Sequence, residues 1–588
     1  MKSIVKHFNR RDWLAVAAAV VLIVGSVWLE LKMPDYTSEI TLMLNNGNPD
    51  MGELLLSGGK MLLCALGSML ITVAVTVITS FIASDFSFNV RARLYDAVES
   101  FSMAEINRFS TASLITRSTN DITQVQNLIV MGLVMIVRAP VMAAIAITKI
   151  ADKSVEWTFS AGIAVLIVIA VLVFCFLFAH PRFKKIQMLT DNINRVTREN
   201  LTGLRVIRAY NAEPYQKKKF ESANDAITKN NMTAHRIMSM MFPTINLTMN
   251  GLRLIVYVIG ANLIGDAATG FAKATLYSDM IVFSQYAFTV IMAFMMLNMI
   301  FIMAPRAMVA AKRINEVIET ESSVTDGPGV EETPVEGEIE FKNVSFRYPD
   351  SADDVLSGIS FTAKKGETVA IIGSTGCGKS TLINLIPRFY DATGGEVLVD
   401  GVNVREYTLE QLHNKIGYIP QRAALFSGDI NTNVAYGSNG RDAYTQEDVE
   451  RAVRIAQAKE IVENYPEGYE HFVAQGGTNM SGGQKQRICI ARAVCRNPEI
   501  LIFDDSFSAL DYRTDRSLRE ALKKETAGTT NIIVAQRIGT IKDADRIIVL
   551  DEGKIAGIGK HKYLLDNCTI YKEIALSQLS EEELSHAG

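Results

Sequence analysis

Residues 367–386 read ETVAIIGSTGCGKSTLINLI. Val369 to Ile372 make a short apolar run of strand character. Gly373-Ser374-Thr375-Gly376-Cys377-Gly378-Lys379-Ser380 follows, and the residues from Thr381 on continue as a helix. The pattern G-x-x-x-x-G-K-S between a strand and a helix is a phosphate-binding loop. Its glycines let successive backbone N–H groups curl around phosphate oxygens. Lys379 reaches the β- and γ-phosphates, and the Ser380 hydroxyl, with Thr381 beside it, joins the shell of a Mg2+ ion. The second half of the chain therefore reads as an α/β P-loop nucleotide-binding domain whose cofactors are ATP and Mg2+.

Further along, EILIFDDSFSALD (499–511) is a second buried strand that ends in two aspartates. Asp504 is the carboxylate expected to hold Mg2+. Asp505 is either a catalytic base or a residue standing where a better base belongs. Between these strands lies NMSGGQKQRICIARAV (479–494), in which Ser481-Gly482-Gly483-Gln484 opens an amphipathic helix. A hydroxyl and free N–H groups at a helix N-terminus form an anion site. One ATP does not readily occupy two such sites of one chain, so this one is expected to serve a neighbouring subunit's γ-phosphate.

The chain has 588 residues, of which 48% are hydrophobic, too many for one domain and too apolar for an ordinary soluble one. A net charge of −4 gives no global sign of nucleic-acid binding. Six cysteines show neither paired nor metal-ligand spacing, so free thiols are expected. Six apolar runs are long enough to span a bilayer, near 13–33, 61–82, 126–148, 157–179, 238–264 and 276–304. The first follows Lys2, Lys6, Arg10 and Arg11 and reads as a retained signal-anchor. The stretch 181–237 is rich in Lys and Arg, whereas 34–59, an outer loop, has four acidic residues and no basic one. The positive-inside rule then places both termini and the loops 83–125 and 181–237 in the cytosol. Those two loops keep helical spacing, so long spans are expected to continue beyond the membrane. The expected layout is a membrane domain over 1–318, an acidic, Pro- and Gly-containing solvated linker over 319–336, the nucleotide-binding domain over 337–578 and a tail over 579–588.

Two membrane features bear on cargo. Met292, Met295, Met296, Met299 and Met303 share one face of the last span. They form either a permissive lining for apolar ligands or ordinary packing between helices. Arg138 and Arg253 lie deep in the third and fifth spans, where a charge is costly and faces a cavity or a partner.

Together these motifs make the chain resemble an ATP-binding-cassette exporter half-transporter over essentially its whole length: six spans, then one nucleotide-binding domain. The resemblance assigns Tyr348 in FRYPD to adenine stacking, Gln421 in YIPQ to Mg2+ and to coupling with the membrane domain, MSGGQ to the family signature, and Asp511 in SALD to the D-loop. It implies a dimer with two ATPs sandwiched head to tail, and short coupling helices near 107–117 and 210–216. Two positions depart from the family pattern. Asp505 occupies the place of the catalytic Glu, and Gln536 in IIVAQRIGT that of the switch His. Shortening a carboxylate by one carbon and losing an ionisable ring both weaken phosphoryl transfer, which depends on positioning and charge. The expectation is an impaired ATP site in this chain, an intact signature, and a heterodimer whose second half-transporter supplies the competent Glu and His. Such a chain resembles the degenerate-site subunit of bacterial multidrug exporters in the plasma membrane, carrying amphipathic small molecules. The alternatives are a lipid or peptide exporter subunit, or a nucleotide-sensing regulator with little turnover.

Overall fold

The structure is a computed structural model that describes residues 10–45, 50–151, 153–440 and 443–578. Lys2 and Lys6 of the charged start, and the tail 579–588, lie outside the described residues. The chain divides into two compact units. One comprises the described residues up to Ala97 together with Ala112–Glu319; the other comprises Val98–Thr111 and the chain from Thr320 onward.

The first unit is helical. Among the described residues, six helices are long and apolar enough to cross a bilayer: Arg10–Asn45, Met51–Glu99, Thr111–Ala151, Val155–Thr202, Glu213–Asp266 and Gly270–Leu297. About 20 residues cross the hydrocarbon, so the 49-residue Met51–Glu99 and 48-residue Val155–Thr202 helices extend several turns beyond it. Ser154 and Thr269 cap the fourth and sixth spans by accepting the N–H groups of Trp157 and Ala272. Trp157, Phe283, Tyr286, Ile23 and Val27 are buried where the helices meet. Leu14, Phe81, Leu166 and Phe271 stay exposed. In lipid such faces lose nothing, because hydrocarbon solvates them as well as another helix would.

One expectation changes here. The stretch 34–59 is not an open loop, for Met33–Asn45 is helical and the next helix starts at Met51. Pro34 does not interrupt it, since a first-turn residue needs no N–H partner. Around the short helices expected near 107–117 and 210–216, the structure has Met103–Phe109 followed by a helical stretch at Thr111–Thr116, and Leu204–Ala209 ahead of the helix that starts at Glu213. Ser102 and Glu105 make a capping box that starts the first, and Ser110, at φ 59°, ends it. Asn211, at φ 52°, breaks Leu204–Ala209 from the helix that begins at Glu213.

The second unit carries two main sheets, besides a two-stranded antiparallel ribbon of β7 (Gly428–Asp429) and β8 (Phe472–Val473). Strands β1 (Ile339–Phe346), β2 (Leu356–Ala363), β4 (Gly394–Val399) and β5 (Val402–Asn403) form an antiparallel sheet of order β2-β1-β4-β5. The larger sheet has the order β12-β11-β3-β10-β9-β6. It uses β3 (Thr368–Gly373), β6 (Ile416–Ile419), β9 (Ile500–Asp504), β10 (Thr530–Val534), β11 (Arg546–Asp551) and β12 (Lys554–Gly559). All neighbours in it are parallel except the edge strand β12. A parallel sheet is covered on both faces, which is why β9 is buried at every position and reads as an unbroken apolar run. Along 319–336, expected as a solvated linker, the backbone is tied to residues of this same unit. Gly327 and Gly329 donate to the carbonyls of Tyr407 and Glu406, and the Gln411 side chain bonds both backbone groups of Val330.

Candidate nucleotide-binding site

Strand order brings the distant motifs together. In the parallel sheet β10 lies between β3 and β9, and β6 pairs with β9 on its other side. The register sets Val534 opposite both Ile371 and Asp504, and Ile419 opposite Phe503. The residues just past these four strand ends therefore converge: the phosphate loop after β3, Gln421 after β6, Asp505 after β9 and Gln536 after β10. The carboxyl ends of parallel strands are the usual ligand crevice of such sheets.

Within the loop the glycines have separable reasons. At Gly373 a methyl group would lie 2.1 Å from the Leu550 carbonyl oxygen. Gly378 has φ 98°, and a methyl there would meet Leu356. Gly376 also has a left-handed backbone, at φ 88°, but its Cβ direction is open. Lys379 Nζ donates to the carbonyls of Gly373 (2.9 Å) and Ser374 (2.7 Å), across the loop between Ser374, Thr375 and Cys377. Ser380 Oγ donates to Asp504 Oδ1 at 2.9 Å. Cys377, like the other five cysteines, is a free thiol.

The two aspartates differ in their partners. Burial raises the Asp504 carboxyl above its ordinary range, and the Asp505 charge adds to this against the Ser380 and Tyr418 hydroxyls and Lys379. Burial also raises Asp505, against Gln421, Lys379, Gln536 and Arg537. Asp505 Oδ2 accepts two amides, Gln536 Nε2 at 2.8 Å and Gln421 Nε2 at 3.3 Å, and its backbone is left-handed at φ 47°. Two adjoining buried carboxylates without a full cationic counterbalance, beside a serine hydroxyl and a glutamine, suit a hard divalent ion with oxygen ligands.

Tyr348, just past β1, is half-buried. Its hydroxyl shares a hydrogen bond with Thr381 Oγ1 at 3.0 Å, and its ring stands edge-on to Phe346 and Tyr390. Asn107, on the Met103–Phe109 helix, donates to the Tyr390 hydroxyl at 3.0 Å. A hydrogen-bond and ring path thus runs from that short helix to the phosphate loop. Sequence reading missed Asn107, Tyr390, Tyr418 and Asn384, which accepts from Tyr418 at 3.0 Å. Asn384 stands four residues after Ser380 on the same helix, so its helical phase was a usable signal; the others carry no linear one.

At the signature, Ser481 Oγ accepts the Gln484 N–H and Gln484 Oε1 accepts the Ser481 N–H, a capping box for the helix Gly482–Cys495. Ser481 and Gly482 are exposed, Gly483 packs near the Ala509 carbonyl, and a Cβ on Gly482 would meet nothing within 4 Å. Asp511 caps the next helix by accepting the Thr514 N–H at 3.0 Å.

In the membrane unit, Arg138 forms an ion pair with Glu30. Arg253 is exposed and lines a cavity between the fifth and sixth spans. Met292 and Met295 pack partly buried against the helical core, Met296 and Met303 are half-buried, and Met299 is exposed. The larger apolar space along the last span, about 710 Å3, is lined by Ala287, Val290 and Phe294 instead of these methionines.

A multi-pass helical membrane unit joined to a P-loop nucleotide-binding unit defines a membrane protein driven by nucleotide binding. Residues 13–294 match the ABC transporter transmembrane region, and residues 356–508 match the ABC transporter model. The chain is 34% identical over 575 residues to the ABC transporter ATP-binding protein YfiB of Bacillus subtilis, covering 97% of each. It is 34% identical over 430 residues to an ATP-dependent lipid A-core flippase of Pseudomonas aeruginosa, covering 72% of this chain and 69% of that one. In fold it resembles a bacterial Atm1-family ABC exporter with ATP bound: TM-score 0.78, 23% identity, 97% of this chain and 100% of the other covered. The chain belongs to the ABC transporter family, with one transmembrane region and one nucleotide-binding unit, and it has the fold of an ABC exporter.

Proposed function

We propose that this chain is the subunit of an ATP-driven exporter whose own phosphate-loop site binds ATP but turns it over slowly, while its signature completes the hydrolytic site of a different partner chain. The observation that carries this is the state of Asp505. The one carboxylate oxygen that both amides reach is held by Gln536 and Gln421, on a side chain one carbon shorter than the family's glutamate. A carboxylate held that way is poorly placed to accept a proton from an attacking water. Gln536 can donate to a phosphate oxygen only by giving up Asp505, and it carries no charge. Lys379 and the backbone N–H groups of 374–380 would hold the phosphates, Tyr348 would face the adenine, and Ser380, Asp504 and Gln421 would hold Mg2+. Mg2+ bound there would neutralise phosphate charge.

The exposed signature, open at Gly482, supports service to a partner's phosphate. It also weighs against a purely nucleotide-sensing regulator. Loop charge supports cytosolic termini and a plasma-membrane setting. The extensive apolar surfaces of the membrane unit support amphipathic cargo; the relative named as a lipid A-core flippase keeps a lipid among the possibilities. The test is ATP turnover by the purified full chain. Slow turnover that rises in the Asp505→Glu, Gln536→His double variant supports the reading. Brisk turnover that Asp505→Ala abolishes overturns it.

A further inference from the structure

The membrane unit treats its two deep arginines differently. Arg138 is neutralised by Glu30 on the first span. Arg253 stands near the middle of the helix Met241–Asp266, roughly 18 Å from either end at 1.5 Å per residue, with no ionic or hydrogen-bond partner among the described residues. Asn250 and Asn246 lie one and two turns before it on the same face, likewise without partners among the described residues. The three side chains border one cavity of about 150 Å3, which Ser284 and Phe288 of the last span close on the other side. No carboxylate lines it. Ser284 spends its proton on the Met280 carbonyl. The donors facing this cavity are thus one guanidinium and two amides, an array that no acceptor among the described residues receives.

A second feature adjoins it. Ala287 borders both this cavity and the apolar space of about 710 Å3 lined by Phe159, Val290 and Phe294. A polar, cationic chamber the size of a headgroup thus meets an apolar one of ordinary ligand volume on adjacent faces of the last span.

We infer that Arg253, Asn246 and Asn250 form the headgroup site of an anionic amphiphile, a phosphate, sulfate or carboxylate with an apolar tail, and that the tail follows the Ala287 side toward Phe294. This rests on the exporter reading above and names the class of cargo or lipid it would take. A charge left unpaired in hydrocarbon is costly, and an incoming anion removes that cost. Arg can also bind such an anion through two parallel N–H donors, which Lys cannot.

The experiment is saturation binding of radiolabelled dodecyl phosphate to the full chain in phosphatidylcholine nanodiscs without ATP, with dodecyltrimethylammonium as the cationic counterpart. The site predicts at least tenfold tighter binding of the phosphate. Arg253→Gln should weaken it by about tenfold to a hundredfold, the range for a hydrogen bond to a charged group. Arg253→Lys should recover part of that loss, and Asn250→Ala should cost a few-fold. Adding phosphatidylglycerol to the nanodisc separates the two sources. Competition that disappears in Arg253→Gln assigns the site to a lipid headgroup, and absence of competition assigns it to a water-borne amphiphile; either outcome supports the site. Equal affinity for the two probes, or equal affinity of wild type and Arg253→Gln, overturns it. Because no ATP is present, failure here leaves the impaired-site reading standing. That reading falls instead on the turnover of the Asp505 and Gln536 variants.

Discussion

The nucleotide-binding unit has two candidate phosphate-facing regions, and they are built on opposite terms. Around the phosphate loop the donors and acceptors answer one another within the chain: Lys379 to the loop carbonyls, Ser380 to Asp504, and Gln421 and Gln536 to Asp505. At the signature, Ser481 and Gly482 are exposed, and the chain uses the serine only to cap its own helix. The first region is complete as a fold, and on the proposed function it is short of a base. The second is complete as a helix start, and on the proposed function it serves another chain's phosphate. Self-satisfied polar groups mark the first region, and an open, exposed surface marks the second.

The largest expected effect tests the signature side. Ser481→Asp keeps a good N-cap but sets a carboxylate where a partner's phosphate would lie, so turnover of the assembled transporter should fall by about 10²-fold or more. Turnover within twofold of wild type would break the comparison. Next comes the phosphate-loop side. Asp505→Glu with Gln536→His should raise turnover of the full chain by about tenfold, and Asp505→Glu alone by less, since misplacement of about 1 Å costs up to about 10²-fold. A double variant as slow as wild type would place the defect elsewhere.

Stability separates the regions a third way. Gly378→Ala forces a methyl into a left-handed backbone against Leu356 and should cost about 1–3 kcal/mol. Gly482→Ala meets open space and should stay within about 0.5 kcal/mol. Thermal unfolding of the full chain reads both, and equal losses would show that Gly482 also has a packing role.

The smallest effect is electrostatic. Burial raises Asp505 above its ordinary carboxyl range, so the folded chain holds that proton more tightly than the unfolded one. The ionised form then opposes folding in full above the raised pKa, and the opposition vanishes as pH falls below about 3.9. Without nucleotide, Asp505→Asn should therefore raise the unfolding midpoint near pH 7.5, and the gain should shrink toward pH 4. A gain that persists at low pH would assign the effect to packing.

Much of this could be read before any fold was known. The phosphate loop, the metal-side aspartate and the signature are contiguous motifs, and their strand–loop–helix settings follow from short apolar runs and glycines. The six spans are legible because hydrocarbon thickness alone sets their length. The start of the Met103–Phe109 helix is legible as well, because Ser102-x-x-Glu105 is a capping box.

By itself the sequence determined the class of protein and the chemistry on offer, because both rest on local pattern: which residues follow which strand, and how long each apolar run is. It also exposed the two departures, Asp505 and Gln536. Only the tertiary structure decided that these two meet, because the strand order β3-β10-β9-β6 brings four loops to one edge and hands both amides to one carboxylate oxygen. It also decided that Arg138 finds Glu30 while Arg253 finds a cavity. A charge's partner is fixed by which helix packs beside it, and no spacing along the chain encodes that.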